Sequence, residues 1–322
     1  MLVFIHCPAQ KKYIFEQPEM GSPFTITIYA QDSLQAATLA ILAFGLADSL
    51  NFILSDYIDS SEINCLSRRS GAGVYIPVSE PLFHIVQEAQ KASELSKGAY
   101  DITVGPVIKL WRKARKIGAL PNLDSLKIAM QKVGYKYIHL DTIHNSIWLE
   151  KKGMQLDVGG LGKGFVAQAA LDFIMKNGCR KVMVNAGGKI VTGDAPGNQH
   201  GWLIGINAPE EKEDILPRML SLHNTAVSTS GDLYQNVKID GRTYSHIVNP
   251  KTGIGLTHST NVTAIAPDGT TADWLSTACS ILTAKEAMRL IKKVNNAALL
   301  ITEKKGIKIE KRSSKLFKNY YF

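Results

Sequence analysis

The chain has 322 residues, 45% of them hydrophobic, enough to bury one large core or two smaller ones. Its net charge of +9 is spread over scattered Lys and Arg pairs and two clusters, Lys109 to Lys116 and Lys304 to Lys318. Such faces are solvated, attract phosphorylated ligands or acidic partners, and carry no aromatic-basic module that would point to nucleic acid. Cys7, Cys65, Cys179 and Cys279 lie far apart without a Cys-x-x-Cys pair, which argues against a zinc site or a disulfide framework. The last three read as buried thiols, and no stretch is expected to reach the length of a membrane span.

Met1 to Ala9 is an apolar run ending in small residues without a positive leader. It reads either as a first strand or as the tail of an export signal that starts further upstream. Tyr13 to Phe15 and Phe24 to Tyr29 are strand-like, with a turn at Glu19 to Pro23 between them. Ser33 to Leu54 is a long Ala- and Leu-rich helix capped by Asp32 or Ser33. A loop and a short helix start follow at Asp56 to Ile63, with Ser60 or Ser61 as cap. Val74 to Val78 is expected as a strand and Glu80 to Ser96 as a helix. An amphipathic basic helix runs through Leu110, Trp111 and Arg112, with the Trp inward and the basic residues outward. Pro121 to Val133 gives another helix, and Ile147 to Leu149 is expected to form a hairpin with Met154 to Val158.

From Met154 to Met175 the pattern is strand, glycine turn, helix, the helix opening close to Lys163. Gly159, Gly160, Gly162 and Gly164 allow close approach of a backbone to a ligand, and a helix N-terminus favours an anion. A phosphate-bearing ligand is therefore expected, with Asp157 beside it; the alternative is that the glycines only allow tight packing. A P-loop is rejected, because Asp157 and Gly164 stand where that motif needs Gly and Ser or Thr. Gly162-Lys-Gly164-Phe-Val-Ala167 matches a dinucleotide fingerprint, yet Asn185 stands where its acidic partner is expected.

Val182 to Val184 is a buried strand ending in a second glycine turn, Asn185 to Gly188, and strands follow at Ile190 to Thr192, Trp202 to Ile206 and Ala226 to Thr229. Tyr244 to Gly253 ends a strand in a tight turn, placing His246 near a strand terminus. Asn261 to Ala266 is a strand. The helix Thr271 to Leu282 is expected to carry Asp273, Ser276 and Thr277 on one face of its first turn, an oxygen cluster suited to a hard cation such as magnesium. Ala297 to Thr302, Ile307 to Ile309 and Leu316 to Phe322 read as strands closing the sheet.

These stretches, in order, resemble the ApbE family of FAD:protein FMN transferases. The likeness rests on Met20 to Phe24, Tyr57 with Ser61 to Ile63, Tyr100 to Pro106 with Leu110-Trp111, Asp157 to Gly164, Asn185 to Gly188, Ala226 to Asp232, His246 to Gly253, and Ala272 to Ala278. The resemblance implies an α+β chain, one compact ApbE-like, T-fold-related domain over residues 11–322, with mixed sheets and flanking helices. It implies magnesium-dependent cleavage of FAD, with FMN joined through a phosphoester to a Ser or Thr of an acceptor flavoprotein subunit, AMP released, and work outside the cytoplasm.

Carried over by position, Met20, Tyr57, Ala99, Tyr100, Asp101, Asp157, Lys163 and Ile247 match FAD-contacting residues. Gly160 through its carbonyl, Asp273, Ser276 and Thr277 match the metal positions, and His246 matches the catalytic base that acts with Asp273. Ser22, Asn249 and Lys189 depart from the pattern, the last two by removing negative charge. The same residues would serve an FAD pyrophosphatase, and without turnover a flavin-binding protein.

Overall fold

Strands β1 (Lys11–Glu19) and β2 (Ser22–Ala30) form an antiparallel hairpin about Met20 and Gly21, whose φ values of 49° and 71° allow the tight reversal. Helix α1 (Ser33–Leu54) follows, the Asp32 carboxylate accepting the Leu34 and Gln35 N–H groups. Then come α2 (Glu62–Arg68) capped by Ser61, β3 (Ile76–Pro77), α3 (Glu80–Leu95), α4 (Gly105–Ile117) and α5 (Leu123–Met130). Strands β4 (Ile138–Asp141) and β5 (Ser146–Leu149) precede α6 (Gly162–Lys176). The remaining elements are β6 (Val182–Ala186), β7 (Lys189–Thr192), β8 (Trp202–Ile206), β9 (Arg218–Leu222), β10 (Thr225–Gly231), β11 (Asn236–Ile239), β12 (Arg242–Ser245), β13 (Thr260–Ala266), α7 (Gly269–Ile281), α8 (Ala284–Leu290), β14 (Ala298–Lys305) and β15 (Lys308–Ser313). This computed structural model describes residues 10–206, 218–231, 236–257, 260–305 and 308–322. The export-signal reading of Met1 to Ala9 lies outside the described residues, as do Cys7, Asp232 and Ile307.

An eight-stranded sheet in the order β1-β2-β6-β7-β10-β13-β14-β15 organises the molecule, and all its pairings are antiparallel. Because side chains alternate across a strand, its two faces serve different cores. Val262, Ala264, Ala266, Leu299 and Ile301 join the cluster formed with α1, α6 and α7. Ile265, Val227, Ala298 and Leu300 join Trp202, Ile204, Leu220 and Phe317 on the other face. Each fully buried Ile, Leu or Phe stabilises by about 1.5–3 kcal/mol. A third cluster packs Trp111 of α4 and Leu126 of α5 against Ile239, Tyr244 and Val248.

Several expectations need correction. β5 pairs with β4 and β3, not with Met154 to Val158. That segment does alternate inward at Met154, Leu156 and Val158. Its N–H groups go elsewhere, Leu156 to Ser67 Oγ at 3.2 Å and Asp157 to the Ile102 carbonyl at 2.8 Å. Lys315–Tyr320 is a 3₁₀ helix rather than a strand, with Phe317 buried and its ring 5.5 Å from that of Tyr321 four residues on. Cys179 and Cys279 are buried as expected, but Cys65 is exposed on the outer side of α2, where Arg68 Nη2 lies 3.0 Å from its sulfur. Helix α1, 22 residues with Asp48 as its only charge, is long and apolar enough to cross a membrane by length and composition, contrary to expectation. Ala36, Leu39, Ala40, Ala43, Phe44, Ala47, Leu50 and Leu54 of this helix are buried.

Candidate functional site

Helices α6 and α7 meet where Gly164 faces Gly269, so closely that a Cβ on either would overlap the other's carbonyl. Close approach is what Gly164 provides. It lets the Gly164 N–H, free at the start of α6, donate to Asp273 Oδ2 at 3.0 Å across 109 residues of sequence. α7 begins at Gly269 behind its cap Asp268, so Asp273 lies beyond the first turn rather than in it as expected, and is only 1% exposed.

Around Asp273 the structure gathers oxygen atoms. Ser228 Oγ lies 3.3 Å from Asp273 Oδ1 and 2.9 Å from Ser276 Oγ, and Ser230 Oγ is 2.8 Å from Ser276 Oγ. The Ser276 hydroxyl donates to the Asp273 carbonyl at 2.9 Å, and Thr277 Oγ1 donates to the Gly160 carbonyl at 3.3 Å. Gly160 packs tightly here, since a Cβ would lie 3.0 Å from both Tyr100 and Thr277 side chains. Each hydroxyl has one proton and two lone pairs, so acceptor capacity remains at the centre. Ser228 and Ser230 were not singled out from sequence as site residues, though two serines in i, i+2 register on a strand share one face and were a usable signal.

Two lysines face this centre. Lys163 Nζ donates to Ser22 Oγ at 2.9 Å, and burial, then the charge of Lys189, lower its pKa while Asp273 opposes them. Lys189 Nζ is 3.4 Å from Asp273 Oδ1. Tyr100 is buried, and its phenol oxygen has no hydrogen-bond partner among the described residues. Burial, with the charges of Asp273, Asp157 and Asp101 adding to it, pushes its pKa well above the ordinary value, so the phenol keeps its proton as a donor. The charges of both Asp157 and Asp273 are felt at the Tyr100 phenol.

A second cluster lies on the Asp157 side. The Arg112 guanidinium pairs with Asp56 through Nη1 and with Asp157 through Nη2, the latter at 3.0 Å, and stands 4.0 Å over the Tyr57 ring. Sequence had assigned Arg112 to a solvated face, but it turns to the site. Burial and the charge of Asp56 raise the Asp157 pKa against the pull of Arg112. Tyr57 is 75% exposed, an aromatic face open to a ligand.

The other expected residues sit in turns and at the ends of elements. Met20 extends to within reach of Gly162 at the start of α6. Ala99 is buried, and the Asp101 carboxylate accepts from Thr103 N and Oγ1 and from Tyr135 N, which fixes the loop. Partly buried His246 directly follows β12, and Ile247 beside it is buried. Their turn is held by Trp111, whose Nε1 donates to the Gly253 carbonyl at 2.7 Å. Asn249 accepts the Gly253 N–H at 2.8 Å through its backbone and the Lys251 N–H at 2.9 Å through its side chain.

The residues of this centre fit a hard cation and a phosphate group. The candidate ligands Asp273, Ser276, Thr277 and the Gly160 carbonyl are all oxygen, which suits a hard cation, and the unpartnered Tyr100 hydroxyl suits a phosphate-bearing ligand. Fold and site together define a mixed helix-and-sheet domain with a buried oxygen centre set against the start of a helix.

Residues 20–301 match the ApbE family, and the chain belongs to it. It is a transferase. It is 26% identical over 299 residues to an FAD:protein FMN transferase of Klebsiella pneumoniae strain 342, covering 92% of this chain and 90% of that one. It is 28% identical over 263 residues to one of Treponema pallidum strain Nichols, covering 77% and 72%. The flavin transferase ApbE from Vibrio cholerae superposes with a TM-score of 0.87 at 25% identity, covering 97% of this chain and 99% of that one.

Proposed function

We propose that residues 11–322 form one transferase domain that moves FMN from FAD to a Ser or Thr hydroxyl of an acceptor flavoprotein, as a phosphoester, with Mg²⁺ as cofactor and AMP as the second product. The observation that carries this reading is the Asp273 oxygen centre lying directly against the start of α6, so that a cation and a pyrophosphate would meet there. The relatives named FAD:protein FMN transferase support FAD as the substrate.

A magnesium ion on Asp273, Ser276, Thr277 and the Gly160 carbonyl would neutralise pyrophosphate charge, the main requirement of phosphoryl transfer. Lys163, at the start of α6, holds phosphate oxygens. The Tyr100 phenol donates to a substrate oxygen, and Tyr57, backed by Arg112, offers its face to a planar ring. Met20, Ala99, Asp101, Asp157 and Ile247 complete the FAD pocket. The acceptor hydroxyl oxygen attacks the FMN phosphorus while His246 takes its proton. The bond from that phosphorus to the bridging oxygen breaks, and the oxygen leaves with AMP. Incubating the protein with FAD, Mg²⁺ and an acceptor domain should increase the acceptor mass by one FMN less water. Free FMN with AMP would instead identify a pyrophosphatase, and intact bound FAD a carrier.

A further inference from the structure

Lys189 opens β7 immediately after the turn at Gly187 and Gly188, whose φ values are 58° and 86°. In register it stands opposite Ser228 of β10. Directly opposed residues of antiparallel strands share a face, so both side chains arrive at Asp273 from the same sheet surface. The result is an ion pair between an ammonium 14% exposed and a carboxylate 1% exposed. The ammonium is steadied by donating to the Thr229 carbonyl at 2.9 Å. Asp273 Oδ2 is taken by the Gly164 N–H, so Oδ1 is the oxygen a cation would use, and Lys189 is on it. Lys163 presents a second ammonium to the same centre. An entering pyrophosphate is the natural partner for these ammonium groups.

We propose that Lys189 competes with the metal for Asp273 when the site lacks FAD and pairs with the pyrophosphate when the metal takes the carboxylate. This rests on the metal assignment made above. Lys189 is then a positioning residue that makes metal and FAD bind cooperatively: the metal is weakly held alone, and FAD supplies the anion that releases Lys189 from Asp273.

The test uses Lys189→Gln in the full chain, since Gln keeps a donor for the Thr229 carbonyl while removing the charge. Free Mn²⁺, read by its electron paramagnetic resonance without nucleotide, should bind the variant about fivefold or more tightly than the wild type. FAD, read by flavin fluorescence in saturating Mg²⁺, should bind it about tenfold more weakly. Lys189→Arg should keep both affinities near the wild-type values, which separates charge from packing even if Lys189→Gln folds poorly. A merely structural role would not move the two affinities in opposite directions. Mn²⁺ bound no tighter by Lys189→Gln, beside a wild type that binds Mn²⁺ and flavinylates an acceptor, overturns this inference alone. Mn²⁺ bound by neither protein overturns it together with the metal assignment.

Discussion

Asp157 and Asp273 both act on Tyr100, yet the chain holds them by opposite means. Asp157 is clamped by a guanidinium that also grips Asp56 and covers Tyr57. Its planar fork fixes direction as well as charge. Asp273 is held by one backbone N–H, the Ser228 hydroxyl and a single ammonium on a flexible stem. Hydroxyls can turn to give lone pairs to a metal, and a lysine can leave. The difference teaches that a carboxylate built to shape a pocket is locked by partners that stay, and one built to receive a cation is kept by partners that can be exchanged.

The sharpest way to break this contrast is Asp273→Ala. It should reduce FMN transfer to background, with circular dichroism preserved, although the buried Gly164 N–H and Lys189 left behind cost about 1–3 kcal/mol of stability. Transfer surviving after chelation and magnesium restoration would remove Asp273 from the metal set. His246→Ala should bind FAD normally and lose about 10²–10⁴-fold in transfer rate, as expected for a missing general base. Normal turnover with poor FAD binding would reverse that role.

On the clamped side, Arg112→Ala leaves Asp56 and Asp157 unpaired and facing each other. Partial solvent access keeps the expected loss to about 1–3 kcal/mol, read as a lowered denaturant midpoint. Arg112→Lys should recover only part of it, because the charge returns without the fork. The smallest effect concerns pH. Burial lowers the Lys163 pKa, so its charged form is present below that value and lost as pH rises through it. FAD affinity should therefore fall on the alkaline side, earlier than an ordinary lysine would require. Lys163→Arg should push the fall to higher pH, by up to about tenfold in affinity at the alkaline end. An unchanged profile would remove Lys163 from the phosphate contacts.

What the sequence determined by itself was whatever one segment decides. α1 spans Ser33–Leu54 as its apolar spacing and Asp32 cap require, and β2, α6 and β13 lie within a residue or two of their expected limits, because capping and periodicity act over one or two turns. The resemblance supplied the residue types at Asp157, Lys163, His246 and Asp273. Tertiary structure decided what depended on distant partners. Met154 to Val158 alternates like a strand but spends its N–H groups on Ser67 and Ile102, and β5 took β4 instead. Arg112 looked solvent-facing until Asp56 and Asp157, 56 and 45 residues away, turned it inward. Ser228 lies 45 residues from Asp273 in sequence, and Lys189 reaches that carboxylate only through the register of β7 against β10. A buried charge is fixed by whichever partners desolvation brings within about 3 Å, and no local pattern records which strand will stand beside which helix.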